Sequence, residues 1–77
     1  MNHVTVYTTT TCSYCVKLKN FLREQGIPFT EVNVQRDRAA ARKLVAKTNH
    51  MGVPQTEING QWVFGFDPDA IMSLIKQ

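Results

Sequence analysis

The sequence predicts a small α/β domain, a four-stranded mixed sheet with helices on both faces, in the order β-α-β-α-β-β-α. Three observations lead there. An amphipathic helical stretch separates two apolar strand-like runs, which implies a right-handed parallel crossover. Asn59-Gly60 sits between two further strand-like runs, the strongest two-residue hairpin signal. Asp67-Pro68-Asp69 then opens a closing helix, with an acidic cap, a proline suited to the first helical position and a second acid that complements the dipole.

The elements follow in chain order. Val4-Thr5-Val6-Tyr7 reads as a buried strand. The first helix runs from about Cys12 or Ser13 to Gln25, with Leu18, Phe21 and Leu22 on one face. Gly26 ends it, and Pro28 keeps it from resuming. Residues 29–34 form the second strand, with Val32 and Val34 pointing to one side. A second helix spans about Asp37 to Lys47 on the apolar stripe Ala40, Ala41, Leu44 and Val45. The hairpin pairs Gln55-Thr56-Glu57-Ile58 with Gln61-Trp62-Val63-Phe64. Ala70, Ile71, Leu74 and Ile75 give the last helix its buried side. With no repeats, linkers or low-complexity tracts, residues 1–77 are expected to form a single domain, near the small end of what folds without staples.

Composition narrows the function classes. Hydrophobic residues make up 43% of the chain, enough for a modest core rather than disorder. No apolar run approaches the roughly 18 residues that span a bilayer. The first residues lack the basic-then-apolar pattern of a secretion signal, so the expected compartment is the reducing cytoplasm. The net charge of +3 comes with a basic cluster, Arg36, Arg38, Arg42, Lys43 and Lys47. No aromatic residues interleave with it, so it reads as a solvated helix face rather than a nucleic-acid site. It also suits an encounter with an acidic partner.

Chemistry concentrates in Cys12 and Cys15, the only 2 cysteines. They lie one helical turn apart where the first strand hands over to the first helix, close enough to close a disulfide ring. Unpaired backbone N–H groups and the positive end of the helix dipole favour a thiolate at Cys12. Thiols in such motifs titrate well below the free-cysteine value of about 8.5. A purely structural bridge across so short a loop would constrain the unfolded chain little. Zinc needs four ligands, and only His3 and His50 remain, neither in a paired motif, so no metal site is expected. A CxxC beside a βαβ pattern is the thioredoxin-like redox signature.

Several separated motifs in one order are more specific than any alone. Val6-Tyr7-Thr8 precedes Cys12-Ser13-Tyr14-Cys15; Gly52-Val53-Pro54, the Asn59-Gly60 hairpin and Gly65-Phe66-Asp67 follow. Over its whole length the chain resembles the glutaredoxin family, whose minimal thioredoxin fold has this element order. Met51-Gly52-Val53-Pro54 with Val63-Phe64-Gly65-Phe66-Asp67 looks like small bacterial glutaredoxin-like proteins. Phe64-Gly65-Phe66-Asp67-Pro68-Asp69 also looks like the tail of NrdH-redoxins, which donate electrons to ribonucleotide reductase.

The resemblance implies a thiol-disulfide oxidoreductase. Cys12 would attack a substrate disulfide and Cys15 would resolve the mixed disulfide. The partners implied are disulfide-containing proteins and an external reductant, glutathione or thioredoxin reductase, with no bound cofactor and a monomeric carrier. It also implies a cis Val53-Pro54 bond beside the cysteines, where base rates for X–Pro bonds alone favour trans. A cis proline there lets a substrate pair with the backbone of Val53 as an added strand. The binding surface would comprise Thr9, Ser13, Tyr14, Val53, Pro54, Gly65, Phe66 and Asp67. Tyr14 is expected exposed, with Tyr7 either beneath it or simply in the core. Gly65 either admits a ligand or makes a turn, Asp67 either helps hold an anion or caps its helix, and Phe66 either packs in the core or offers a docking patch. Trp62 reads as packing, and the two histidines have no assignable role.

Two departures from the family bear on the reductant. Thr9 stands where glutathione-using members carry a lysine, and Phe64-Gly65 where they often have paired glycines. Both weigh toward thioredoxin reductase, while Ser13-Tyr14 weighs toward glutaredoxins. A rival from another class is an iron–sulfur scaffold shared by two monomers through the first cysteine and glutathione. Ser13 meets its sequence condition, and the weak glutathione site opposes it.

Overall fold

The computed structural model describes residues 2–76. Its elements are β1 (Val4–Thr8), α1 (Ser13–Glu24), β2 (Thr30–Asn33), α2 (Arg38–Thr48), β3 (Gln55–Ile58), β4 (Gln61–Phe64) and α3 (Pro68–Ile75). The sheet runs β2-β1-β3-β4. β1 and β2 are parallel, and β3 lies antiparallel to both β1 and β4. This is the thioredoxin fold in the order read from the sequence. No helix among the described residues is long and apolar enough to cross a membrane.

Alternation along β1 decides which helix goes where. Val4, Val6 and Thr8 are buried, while Thr5 and Tyr7 on the opposite face are half-buried. The first face meets Leu18 and Leu22 of α1 and Ile71 of α3, with Ile58 and Val63 from the hairpin completing the core. The other face is covered by α2, where Leu44 lines one cavity together with Tyr7, Val32 and Trp62. Of the stripe expected on α2, only Leu44 is fully buried; Ala40, Ala41 and Val45 are half-buried. α2 covers its face alone, so its flanks have no neighbouring helix to pack on.

Local chemistry fixes the boundaries. Asp37 and Asp67 each accept a bond from the backbone three residues on, at Ala40 and Ala70, capping α2 and α3. The hairpin turn has positive φ at both Asn59 and Gly60, as a two-residue primed turn requires. The Asn59 carboxamide also accepts from the His3 backbone N–H at 2.8 Å, which ties the turn to the start of β1.

One ionic cluster braces α1 against β2. The buried Thr8 hydroxyl (2.8 Å) and the Lys19 ammonium (3.0 Å) both donate to Glu31 Oε2. These two bonds, first that of Lys19, hold the Glu31 carboxyl below its ordinary 4.5. A depressed folded-state value means the stabilisation is complete above the unfolded-state value and disappears as pH falls through the folded one. Denaturation of the wild type from pH 7 to pH 2 should therefore lose stability on the acid side of 4.5, and Glu31→Gln should flatten that part of the curve. Leu18→Ala, at a fully buried core position, should cost about 2–5 kcal/mol in chemical denaturation at neutral pH.

Candidate active site

The sheet gathers one end of the molecule. β1 runs toward the cysteines and ends at Thr8, and in the β1–β3 register Tyr7 lies opposite Gln55. One step further along that antiparallel register puts Pro54 across from Thr8. β4 ends at Phe64 opposite Gln55, and the Gly65 N–H donates to the Pro54 carbonyl at 2.9 Å. The segments carrying Cys12, Val53-Pro54 and Gly65-Phe66-Asp67 thus leave the sheet at a common edge.

The loop between β1 and α1 is held from the side. The Thr10 N–H donates to Gln35 Oε1 at 3.1 Å, and the Asn33 side-chain amide donates to Thr10 Oγ1 at 3.2 Å. Asn33 in turn accepts from the Gln35 N–H at 2.9 Å. This bracing delivers Cys12 in an extended conformation as the N-cap of α1. The Cys15 N–H donates to Cys12 Sγ at 3.1 Å, so sulfur fills the role that an oxygen plays in α2 and α3. The two cysteines are joined in a disulfide, with Cα atoms 5.2 Å apart. Cys12 is partly exposed, whereas Cys15 retains 1% of its surface and sits among the buried residues of α1.

The other residues singled out from sequence distribute as follows. Tyr14 is 57% exposed, with the Lys17 ammonium over its ring, and Ser13 is exposed beside it. The Val53-Pro54 bond is cis, with Pro54 buried and Val53 half-buried. Gly65 has φ +76°, which accounts for a glycine in the turn, and a Cβ there would meet nothing within 4 Å. Phe66 packs edge-to-face on Phe21 of α1, so its ring belongs to the core margin. The Asp67 carboxylate is engaged as the cap of α3. Tyr7 contacts the Trp62 ring, 5.6 Å between centroids, on the α2 face; that placement answers the alternative that set it beneath Tyr14. Trp62 packs, as read from the sequence. Burial, then Glu57, pushes the Tyr7 hydroxyl above its ordinary 10.0. Thr9 lines a groove that also takes in residues of α2. Among the described residues no group of three or more His, Cys, Asp or Glu side chains could hold a metal ion.

Sequence reasoning missed Gln55. Its side chain is 1% exposed, and its amide spends both protons on the loop before Pro54, at the His50 carbonyl (3.0 Å) and the Gly52 carbonyl (2.9 Å). Met51, between those two anchor points, is 82% exposed. A glutamine inside a short buried strand, directly after a proline, was the available signal.

Comparison with known proteins agrees with this geometry. The Glutaredoxin family model matches residues 4–63. The chain belongs to the glutaredoxin family. It is a thiol-disulfide oxidoreductase with a CxxC pair on a thioredoxin fold. A glutaredoxin-like 8.6 kDa protein from the rubredoxin operon of Clostridium pasteurianum is 32% identical over 74 residues, covering 96% of this chain and 99% of that one. Glutaredoxin 3 of Escherichia coli K12 is 31% identical over 67 residues, 87% of this chain and 81% of its own. The solved NrdH-redoxin of Escherichia coli superposes with a TM-score of 0.85 at 30% identity, covering 94% and 93% of the two chains.

The Gln55 clamp has a measurable consequence. Replacing Gln55 with Leu removes both donors, each worth about 1 kcal/mol. Hydrogen exchange over residues 50–53 should then rise about fivefold or more relative to wild type, with exchange in α1 unchanged. Unaltered exchange in that loop would show that the clamp holds nothing.

Proposed function

We propose that Cys12 is the attacking thiolate and Cys15 the resolving thiol of a cytoplasmic electron carrier formed by residues 1–77 as one monomeric domain. The observation that carries this is the contrast between the two sulfurs. Cys12 is reachable and caps the helix, and Cys15 is buried one turn further in. A bond from the Cys15 N–H, added to the field of the helix start, stabilises negative charge on Cys12 Sγ.

The cycle balances without a bound cofactor. Cys12 Sγ attacks one sulfur of the substrate disulfide; a mixed disulfide forms, and the displaced substrate thiolate takes up a proton. Cys15 Sγ then loses its proton and attacks Cys12 Sγ, releasing the second substrate thiolate, which is protonated in turn. Two electrons and two protons have passed to the substrate, and the carrier holds the Cys12–Cys15 disulfide. Tyr14, Ser13, Val53, Pro54, Gly65, Phe66, Asp67 and Thr9 form the surface around this exchange. The open space at Gly65 supports approach of a substrate backbone there.

Protein disulfides and glutathione-mixed disulfides are the substrates, with glutathione or thioredoxin reductase as the reductant. A second reading, recycling by thioredoxin reductase in the manner of an NrdH-redoxin that serves ribonucleotide reductase, is favoured by one specific residue. Thr9 offers no cation where a glutathione carboxylate would need one. The solved NrdH-redoxin, described as having a thioredoxin-like activity profile, supports the same direction. The cluster-scaffold reading predicts a coloured dimer as isolated.

Cys12→Ser should lower disulfide reduction at least a thousandfold in a coupled NADPH assay, and retained activity would identify another nucleophile. Cys15→Ser should accumulate a mixed disulfide with a protein substrate, seen by mass spectrometry under non-reducing conditions. Running the wild type with glutathione and its reductase, or with thioredoxin reductase alone, decides the reductant by which arm consumes NADPH. A colourless monomer as isolated would dispose of the cluster scaffold.

A further inference from the structure

Helix α2 carries charge that the redox site leaves unused. Arg38, Arg42, Lys43 and Lys47 lie on it and Arg36 just before it; among the described residues none of these five side chains has an ion-pair or hydrogen-bond partner. Arg38 and Arg42 are four residues apart, as are Lys43 and Lys47, a spacing at which like charges repel on a helix surface. Asp37, the acid at the start of the helix, is committed to the Ala40 N–H at 3.0 Å. The face therefore carries concentrated positive charge at a small cost to the fold.

On the Arg42 side of the helix lies an apolar groove of about 310 Å³, walled by Val34, Ala41, Leu44, Val45 and Met51, with Thr9 at one side, whereas Lys43 and Lys47 line a separate pocket with Tyr7 and Trp62. Arg42 stands beside Ala41, Val45 and Met51 at the groove's outer margin. Among the described residues Met51 is the most exposed of the large apolar side chains, and Gln55 pins its loop through the carbonyls on either side. An unbranched thioether on a fixed loop adapts to varied apolar partners. The groove also communicates with the redox pair. Thr9 precedes Cys12 by three residues, a span of at most about 10 Å of chain, and Gln35, which also lines the groove, holds the Thr10 N–H.

We propose that this groove and its cationic rim dock an acidic segment of a protein substrate, adjacent in that substrate to the disulfide being reduced. The proposal rests on Cys12 attack as described above and names the class of disulfide that reaches it. Carboxylates of the segment meet Arg38 and Arg42 while its apolar side chains cover Val45 and Met51. The docked segment holds the target disulfide near Cys12. Reduced Cys12 and Cys15 then pass two electrons to it, leaving their own disulfide and a substrate dithiol. Charge pairing of this kind acts mainly on the association rate and fades with salt.

The test is a single-turnover measurement with pre-reduced protein, so that no external reductant enters. Three synthetic peptides carry the same intramolecular disulfide, flanked by Asp and Glu, by Asn and Gln, or by Lys. Second-order rates are read by alkylation and mass spectrometry. At low salt the wild type should reduce the acidic peptide about tenfold faster than the neutral one and the basic one slowest, with the spread closing by about 0.5 M salt. The double variant Arg38→Glu with Arg42→Glu should reverse the order, while its rate with uncharged 2-hydroxyethyl disulfide stays at the wild-type level. Arg38→Gln with Arg42→Gln should abolish the spread and serves if charge reversal impairs folding. Equal rates for the three peptides, or an acidic preference that survives in a folded double variant, overturns the proposal. A change confined to glutathione-mixed disulfides also overturns it. A wild type inert toward 2-hydroxyethyl disulfide fails at the Cys12 step itself, a separate result under which docking falls too.

Discussion

The first turn of α1 presents backbone N–H groups with no partner inside the helix, and the atom that answers one of them is a sulfur. The contact is between the Cys15 N–H and Cys12 Sγ, and the proposed cycle depends on it. The other two helices meet the same demand with carboxylates, at Asp37 and Asp67. Those caps are inert and serve the fold. At α1 the capping atom is a sulfur, so in the proposed cycle the requirement that starts a helix also holds the attacking group where the helix field favours its charge.

Such a cap functions only if the chain enters the helix at one angle, and the sheet supplies that angle. β1 is the second strand of the sheet, hydrogen-bonded to β2 on one side and β3 on the other. The Thr10, Asn33 and Gln35 bonds carry its rigidity across the short loop to Cys12. On the opposite side the bond from Gly65 to the Pro54 carbonyl ties the end of β4 to the proline segment. The Cys12 segment and the Val53-Pro54 segment thus leave the sheet at the same end of its strands. The buried oxygen of Gln55, which has no partner among the described residues, is a cost inside this arrangement, set against the two loop carbonyls that its amide group holds.

Much of this was legible in the chain because the decisive signals are local. A CxxC at a strand-to-helix junction, Asn59-Gly60 and Asp67-Pro68 each encode a backbone geometry within a few residues. The structure places a helix start, a primed turn and a capped helix at those positions. What escaped was non-local. Tyr7 meets Trp62 across an intervening strand, and Phe66, in the turn before α3, meets Phe21 of α1, so no spacing along the chain announces either pair. The Gln55 clamp was hidden for a related reason, since a buried amide acquires its role only once the fold brings two carbonyls to it. The stripe on α2 was legible as apolar; that it lies at a groove margin followed only from the absence of a second helix on that face.

The most direct test of the account is titration of the Cys12 thiol in the reduced protein, followed through the pH dependence of its alkylation rate in the Cys15→Ser variant. A helix-capping sulfur should react as a thiolate with an apparent pKa below about 7.5. A profile centred near 8.5 or higher, the range of a cysteine that the helix start does not influence, would contradict the claim that the cap makes the nucleophile.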